Sequence, residues 1–376
     1  MNVDMLVFGE DWGALPSSTQ HLIRHLLPEM NIVWVNSLGL RRPKLCKRDM
    51  IRAVKKLTSM VSNTNAITSD FEASGLKPHI VNPRVIPWPG NPLARKLNGS
   101  LLTKLLQPTL AGNDTRPILW TSLPSAVDVV GKLGERACIY YCGDDFSALD
   151  GVDHKPVAKM EQELVEKVDL IIAASHKIAD KFPSHKTLVL PHGVDFERFS
   201  TPSMRANDLG TGPVAGFYGS IAGWFDKKLM LETAKKLPHW RFVLIGPAHT
   251  NIQELIEQNN IEWLGPKAHK DLVHYSQHWD VGILPFKNNA QIQACNPLKL
   301  REYLAAGQPI VSTHYPAVND YSNLVSIAEE SSHFADKIEE AYQTNVEGDN
   351  KKRQASVKQE SWHLKAQQLK EIILQL

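Results

Sequence analysis

The stretch Asn296-Pro-Leu-Lys-Leu-Arg-Glu-Tyr-Leu-Ala-Ala-Gly-Gln-Pro-Ile-Val-Ser-Thr313 carries its own start, stop and continuation. Pro297 suits the first turn of a helix, where a missing N–H costs nothing, and Asn296 before it suits the N-cap. Gly307 ends the helix, and Pro309 leads into the β-branched run Ile310-Val-Ser-Thr313. A helix that hands over to a short buried strand is half of a βαβ unit, the building block of a doubly wound sheet. The open end of such a helix, at Pro297 and Leu298, offers N–H groups and a partial positive charge, which suit a diphosphate. Lys299 in the first turn adds a full charge to the same anion. Glu302 lies three residues on, on the same face. There a carboxylate can accept hydrogen bonds from both hydroxyls of a ribose; the plainer alternative is an intrahelical pair with Lys299.

Working outward from this stretch, the same alternation fills the chain. Strands are expected at 4–9, 32–36, 80–87, 118–122, 138–142 and 170–174, with helices near 17–27, 50–61, 92–106, 125–133 and 156–168. A second series of strands follows at 214–219, 242–246, 261–264, 281–286, 310–313 and 325–328. Its helices are expected at 225–237, 251–258, 267–278, 297–306 and 333–343. Residues 199–213 are rich in Ser, Thr, Pro, Asn and Gly and read as the connection between the two series. Leu364, Leu369, Ile372, Ile373 and Leu376 recur at helical spacing behind Trp362. The expectation is an α/β chain of two Rossmann-like domains. The first covers 1–195 with a terminal helix at 361–376 crossing back to it, and the second covers 196–360. Ligands of such sheets bind at the carboxyl ends of the strands, so the site is expected in a cleft that both sheets face.

The 376 residues suffice for two domains, and 43% hydrophobic with 22% charged residues fits a globular chain. No apolar run approaches the roughly 20 residues that span a bilayer. The opening MNVDMLVFGEDW lacks the cationic and long apolar regions of a signal peptide, so a cytoplasmic protein is expected. The four cysteines (Cys46, Cys138, Cys142 and Cys295) have no metal-ligand spacing and read as free thiols. The formal charge of +2 conceals a cationic stretch between Arg41 and Lys56, interleaved with apolar residues. A solvated helix face is one reading; a patch resting on anionic lipid at the inner face of the membrane is the other. Without aromatic residues for stacking, nucleic acid is not expected there.

The run from Asn296 to Thr313 resembles the donor-site helix of GT-B glycosyltransferases, in the large group 1 class that includes family 4 and bacterial polysaccharide glycosyltransferases such as the xanthan glucuronosyltransferase. Leu190-Pro-His-Gly-Val-Asp-Phe-Glu-Arg-Phe199 is similar to the family's interdomain signature. Gly216-Phe-Tyr-Gly-Ser-Ile221 is similar to the glycine loop that opens the second domain, which brings Gly219 and Ser220 to the donor phosphates. Asn260-Ile-Glu-Trp-Leu-Gly265, with Leu272, Tyr275 and Asp280, resembles the base-binding region. Ser361-Trp362 resembles the start of the crossing helix. Five such segments occur in the family's order. The resemblance implies transfer of a sugar from a nucleotide diphosphate donor, UDP before GDP, to an acceptor, a lipid-linked saccharide of cell-surface polysaccharide synthesis. It implies no cofactor and no metal. Two departures stand out: Ala294 occupies the place of the first of two glutamates that many family-4 members carry, and the basic residues that usually follow the glycine loop are not evident.

In the first domain, Tyr140-Tyr-Cys-Gly-Asp-Asp-Phe-Ser147 ends a strand. In the resemblance, the first aspartate of such a segment is the general base of an inverting enzyme, which assigns Asp144, with Asp145 as the alternative; either could instead simply cap the next loop. Asp144-Asp145 is not a D-x-D metal motif. The loop Gly9-Glu-Asp-Trp-Gly-Ala-Leu-Pro-Ser-Ser-Thr19 has glycines but not the dinucleotide fingerprint, which disfavours a nicotinamide dehydrogenase. Trp12, Gly13 and Ser17 are its expected ligand contacts. Two other readings remain open at this point: a nucleotide-sugar 2-epimerase of the same fold, and a nucleotide-sugar-binding protein without catalysis.

Overall fold

In the computed structural model, residues 2–14, 17–38, 75–149 and 152–376 are described. The chain divides into two units, Met1–Leu190 with Ala366–Leu376, and Pro191–Lys365. The first unit is built on a seven-stranded sheet ordered β3-β2-β1-β4-β5-β6-β7. Its strands are β1 (Met5–Phe8), β2 (Ile32–Val35), β3 (His79–Val81), β4 (Ile118–Thr121), β5 (Ala137–Cys142), β6 (Leu170–Ala173) and β7 (Thr187–Val189). Each pairing is parallel, in-register runs such as Met5↔Ile32 and Met5↔Ile118 setting β1 between its neighbours. β1, β2, β4, β5 and β6 are buried along their whole length, as a sheet covered on both faces demands.

The second unit repeats the plan with six parallel strands in the order β10-β9-β8-β11-β12-β13. These are β8 (Val214–Tyr218), β9 (Arg241–Ile245), β10 (Ile261–Trp263), β11 (Val281–Leu284), β12 (Ile310–Thr313) and β13 (Ser326–Ala328). In both sheets the order reverses beside the first strand, between β1 and β4 and between β8 and β11. The loops leaving those strands are therefore where a ligand of such a sheet is expected.

Several expectations change in detail. β3 stops at Val81, because Pro83 and Pro87 cannot donate to a ladder. β7 is a short, half-buried edge strand that the sequence reading passes over. The helix expected at 267–278 is two separate turns, His269–Asp271 and Val273–Ser276, and only a single turn, Pro124–Asp128, replaces the helix at 125–133. The helix Pro92–Leu110 runs longer than expected, and the helix Asp349–Val357 is additional. The stretch 199–213 is not the connection between the units. Phe199 and Leu209 are fully buried in the core of the second unit, and Gln277 holds Ser203 by its side-chain oxygen. The polar composition of this stretch serves hydrogen bonding, not mobility.

The terminal helix, Trp362–Leu374, begins in the second unit and continues into the first. Trp362 packs so close to Gly193 that a Cβ there would lie 2.8 Å from its ring, which accounts for the glycine. Beyond it, Ile373 accepts a hydrogen bond from Arg136 and Lys370 pairs with Glu29. Cys138 and Cys142 lie buried on β5. Among the described residues, no helix is long and apolar enough to cross a membrane. The helix expected at 50–61 and the cationic stretch between Arg41 and Lys56 lie outside the described residues.

Candidate active site

In the second unit the helix Leu298–Ala306 begins at Pro297 and ends at Gly307, whose φ of +87° only glycine adopts without strain. No side chain caps its start. Asn296 is not the N-cap: its side-chain oxygen accepts from Arg301, a nearly fully buried cation that also donates to Glu360 at 2.6 Å. A buried guanidinium needs partners, and it takes the nearest oxygen from the cap role.

Lys299 extends from the first turn over Gly219 at the end of β8. A Cβ on Gly219 would sit 1.9 Å from its Cε. Its Nζ lies 5.6 Å from the centre of the Trp224 ring. Gly219 has a φ of +139° and Gly246, on the loop after β9, a φ of +131°. A Cβ on Gly246 would come within 2.1 Å of the Gly219 carbonyl, so the two loops close on each other only as glycines. Ser220 follows, half-buried. Gly216, the other glycine of that motif, has a different purpose: the Trp279 ring occupies the place of its Cβ. Gly219→Ala is accordingly expected to cost about 1–3 kcal/mol of stability and to push the Lys299 side chain aside. Thermal unfolding and nucleotide titration of the variant measure the two effects separately.

Glu302, one turn further along, is buried, and both of its oxygens are engaged. Tyr218 donates its hydroxyl at 2.7 Å, and His269 Nε2 lies 2.8 Å from the other oxygen. Burial pushes the Glu302 carboxyl up, but His269, the Tyr218 hydroxyl and Lys299 together more than offset this and hold it below its ordinary value. It is thus a fixed anion at the end of the sheet, with a second lone pair on each oxygen. Tyr303, next in the helix, accepts from the Tyr218 amide at 3.0 Å and locks the helix to β8. His269 and Tyr218 escape the sequence reading, since a lone histidine in Gly265-Pro-Lys-Ala-His269 and a strand tyrosine carry no spacing signal. Within the segment read as base-binding, Asn260 ties down three carbonyls and Asp280 accepts from the Val214 amide at 2.8 Å. Ala294 is buried in a short helix.

In the first unit, Asp144 and Asp145 follow β5 and differ sharply in surroundings. Asp145 accepts from the Ser147 amide and hydroxyl and pairs with Lys181 at 2.6 Å. Burial raises its carboxyl, and these donors outweigh burial and bring it below its usual range. Lys181 also lies 3.7 Å from Glu161, which accepts from the buried Tyr140 hydroxyl at 2.6 Å. Asp145 is therefore part of a structural network, whereas Asp144 is exposed.

Glu10, at the end of β1, is a carboxyl that the sequence reading passes over. Burial raises it above its ordinary value, the negative charges of Asp11 and Asp144 add to that, and its own amide and Gln20 oppose. Gln20 also fixes the loop by accepting from the Gly13 amide at 3.0 Å. Ser17 caps the helix Ser18–Leu26 by accepting from the Gln20 amide. Trp12 packs edge-on against Trp34, ring centres 4.8 Å apart, and its amide donates to Asn36. Gly13 has a φ of +80°. All three expected contact residues thus shape the loop, Ser17 by its hydroxyl and Trp12 and Gly13 by their amides.

Residues 212–344 match the family described as Glycosyl transferases group 1. The chain is 32% identical over 231 residues to TuaH of Bacillus subtilis (strain 168), a protein assigned to teichuronic acid biosynthesis as a glycosyltransferase. That match spans 56% of this chain and 58% of the relative, somewhat more than half of each. Solved structures of similar fold include a glycosyltransferase from Rickettsia africae ESF-5, at 14% identity and a TM-score of 0.67 over 100% of this chain and 98% of that one. Another is Anabaena Alr3699/HepE in complex with UDP, at 13% identity and a TM-score of 0.68 over the whole of both chains. The two parallel sheets are thus of the GT-B fold, and residues 212–344 of the second unit match the group 1 glycosyltransferases.

Proposed function

We propose that the protein moves a sugar from a nucleotide diphosphate donor, UDP favoured over GDP, to an acceptor hydroxyl on a lipid-linked saccharide in cell-surface polysaccharide synthesis. The observation that carries this is Lys299, laid over Gly219 at an uncapped helix start, with the fixed carboxylate of Glu302 one turn on. An ammonium and open amides suit two phosphates, and an anchored carboxylate suits ribose hydroxyls. The relative in teichuronic acid biosynthesis and the fold neighbour crystallised with UDP agree with this reading.

As the acceptor oxygen attacks the anomeric carbon, Asp144 takes its proton. The bond from that carbon to the diphosphate breaks, and the nucleoside diphosphate leaves with its charge held by Lys299 and the helix start. This single displacement inverts the anomeric centre and needs no metal. Asn296, Pro297 and Leu298 contribute the position of that helix start. The cationic residues between Arg41 and Lys56 would hold the enzyme against anionic lipid at the inner membrane face.

A thermal-shift panel of UDP, GDP and ADP tests the donor half. At a hundredfold excess over Kd, a bound nucleotide adds about 2.7 kcal/mol, so UDP is expected to give a clear rise in Tm. A panel in which none of the three shifts the Tm overturns the donor site. Ala294, buried at the place of the first of the two glutamates that many family-4 members carry, favours a second reading, a binding protein without catalysis. Donor turnover that appears only when a lipid-linked acceptor is added excludes it, together with the 2-epimerase.

A further inference from the structure

The amino ends of β12 and β13 border a pocket of about 490 Å³, on the edge of the second sheet opposite to Gly219. Pro309 and Ser326 stand at the strand starts. The helices Phe334–Gln343 and Asp349–Val357 bring Lys337, Asp349, Lys352 and Arg353 to its walls. Three cations thus meet one acid, and their pairing decides which charge is left over. Lys352 pairs with Asp349 at 2.7 Å, and Lys337 pairs with Glu340 at 2.7 Å. Arg353 is the remainder.

Arg353 is only 8% exposed, and among the described residues no carboxylate lies within ion-pair distance of it. One terminal nitrogen donates to the Gly307 carbonyl at 2.8 Å, the other to the Asn345 side-chain oxygen at 2.9 Å. Both acceptors are neutral, and three of the five N–H groups of the guanidinium have no protein partner among the described residues. Burial pulls the guanidinium below its ordinary value, and Asp349 only partly opposes this. The carboxyl end of the helix Leu298–Ala306, which Gly307 closes, offsets about half a charge and leaves the rest. The start of the helix Asp349–Val357 has no side-chain cap and adds partial positive charge on the same side. A buried cation with no counter-charge is costly, and at a pocket wall it is suited to an anion.

We infer that this pocket binds a small organic phosphate, with phosphoryl oxygens on the Arg353 fork and Lys337 and Lys352 at the rim. A guanidinium presents parallel N–H groups that match two oxygens of one phosphate. The volume is more than a bare phosphate fills, and Ser322, Asn323, Ser326 and Thr344 line the rest with groups that suit hydroxyls. The body of the ligand is therefore a sugar or another polyol. The length of the nine-residue helix, about 14 Å, separates Gly307 from the helix start, so the inference does not depend on what Lys299 holds.

Isothermal titration of the full chain with glucose 6-phosphate, glucose and inorganic phosphate, each with and without UDP, tests this. Glucose 6-phosphate is expected to bind about tenfold more tightly than inorganic phosphate, with no binding of glucose and no displacement by UDP. Arg353→Gln is expected to weaken the sugar phosphate about 10–150-fold. Arg353 also holds Gly307, so a second variant that disturbs only the outer pairs accompanies it. Lys337→Gln/Lys352→Gln is expected to keep the wild-type Tm and to weaken binding about tenfold at low salt. No binding of glucose 6-phosphate overturns the inference, as does inorganic phosphate that binds equally well. Displacement by UDP overturns it in favour of the donor site, and wild-type affinity in both variants removes the pocket.

Discussion

Asp144→Asn is expected to lower sugar transfer by about 10³-fold while UDP affinity changes by less than about twofold. General-base catalysis contributes some 10²–10⁴ to such reactions, and an amide keeps the shape of the side chain while losing the ability to take a proton. The neighbouring carboxylate makes the sharper comparison. Asp145 is held by Ser147 and Lys181, so Asp145→Asn is expected to cost about 1–3 kcal/mol of stability and to retain transfer. Activity and thermal unfolding of both variants separate the two roles. Loss of transfer in Asp145→Asn instead would move the assignment by one residue. Glu10 is the third carboxyl to compare. It is raised by burial, with smaller additions from the charges of Asp11 and Asp144, and if Glu10→Gln alone removes transfer, the proton goes to the end of β1 and not to β5.

Lys299→Met is the second large effect expected. Methionine retains most of the stem that lies over Gly219, so packing is kept and the charge is removed. A charged hydrogen bond to the diphosphate contributes about 1.5–3 kcal/mol, which predicts a Kd for UDP raised about 10–150-fold. Charge that grows on the leaving diphosphate should add to this, and kcat should fall by about 10²–10³. Isothermal titration and steady-state kinetics measure the two terms. UDP binding that is unaltered in Lys299→Met would remove the helix start from the donor site.

Much of the architecture was legible in the sequence because a parallel sheet covered on both faces requires short, apolar strands bounded by polar or turn residues. Leu170-Ile-Ile-Ala and Val214-Ala-Gly-Phe-Tyr state this locally, and the helix from Leu298 to Gly307 marks its own stop. The errors fall where local signals compete with tertiary demands. The polar run 199–213 looks like a linker, but Phe199 and Leu209 are enough to bind it into the second unit. Asn296 has the chemistry of a cap, but a buried Arg301 has the stronger claim on its oxygen.

What the sequence determined by itself is the list of strands and helices, the repetition of one plan, and a short list of residues able to hold a diphosphate or take a proton. These depend on periodicity and on residue chemistry, which are properties of neighbours along the chain. Only the tertiary structure decided that Asp145 is tied to Ser147 and Lys181 and why Gly219 must lack a side chain. It also decided that Glu302 is held by Tyr218 and His269. Each of those depends on groups remote in sequence meeting within a few ångströms. Pattern cannot foresee such meetings, because the partner's identity is set by the fold and not by the spacing.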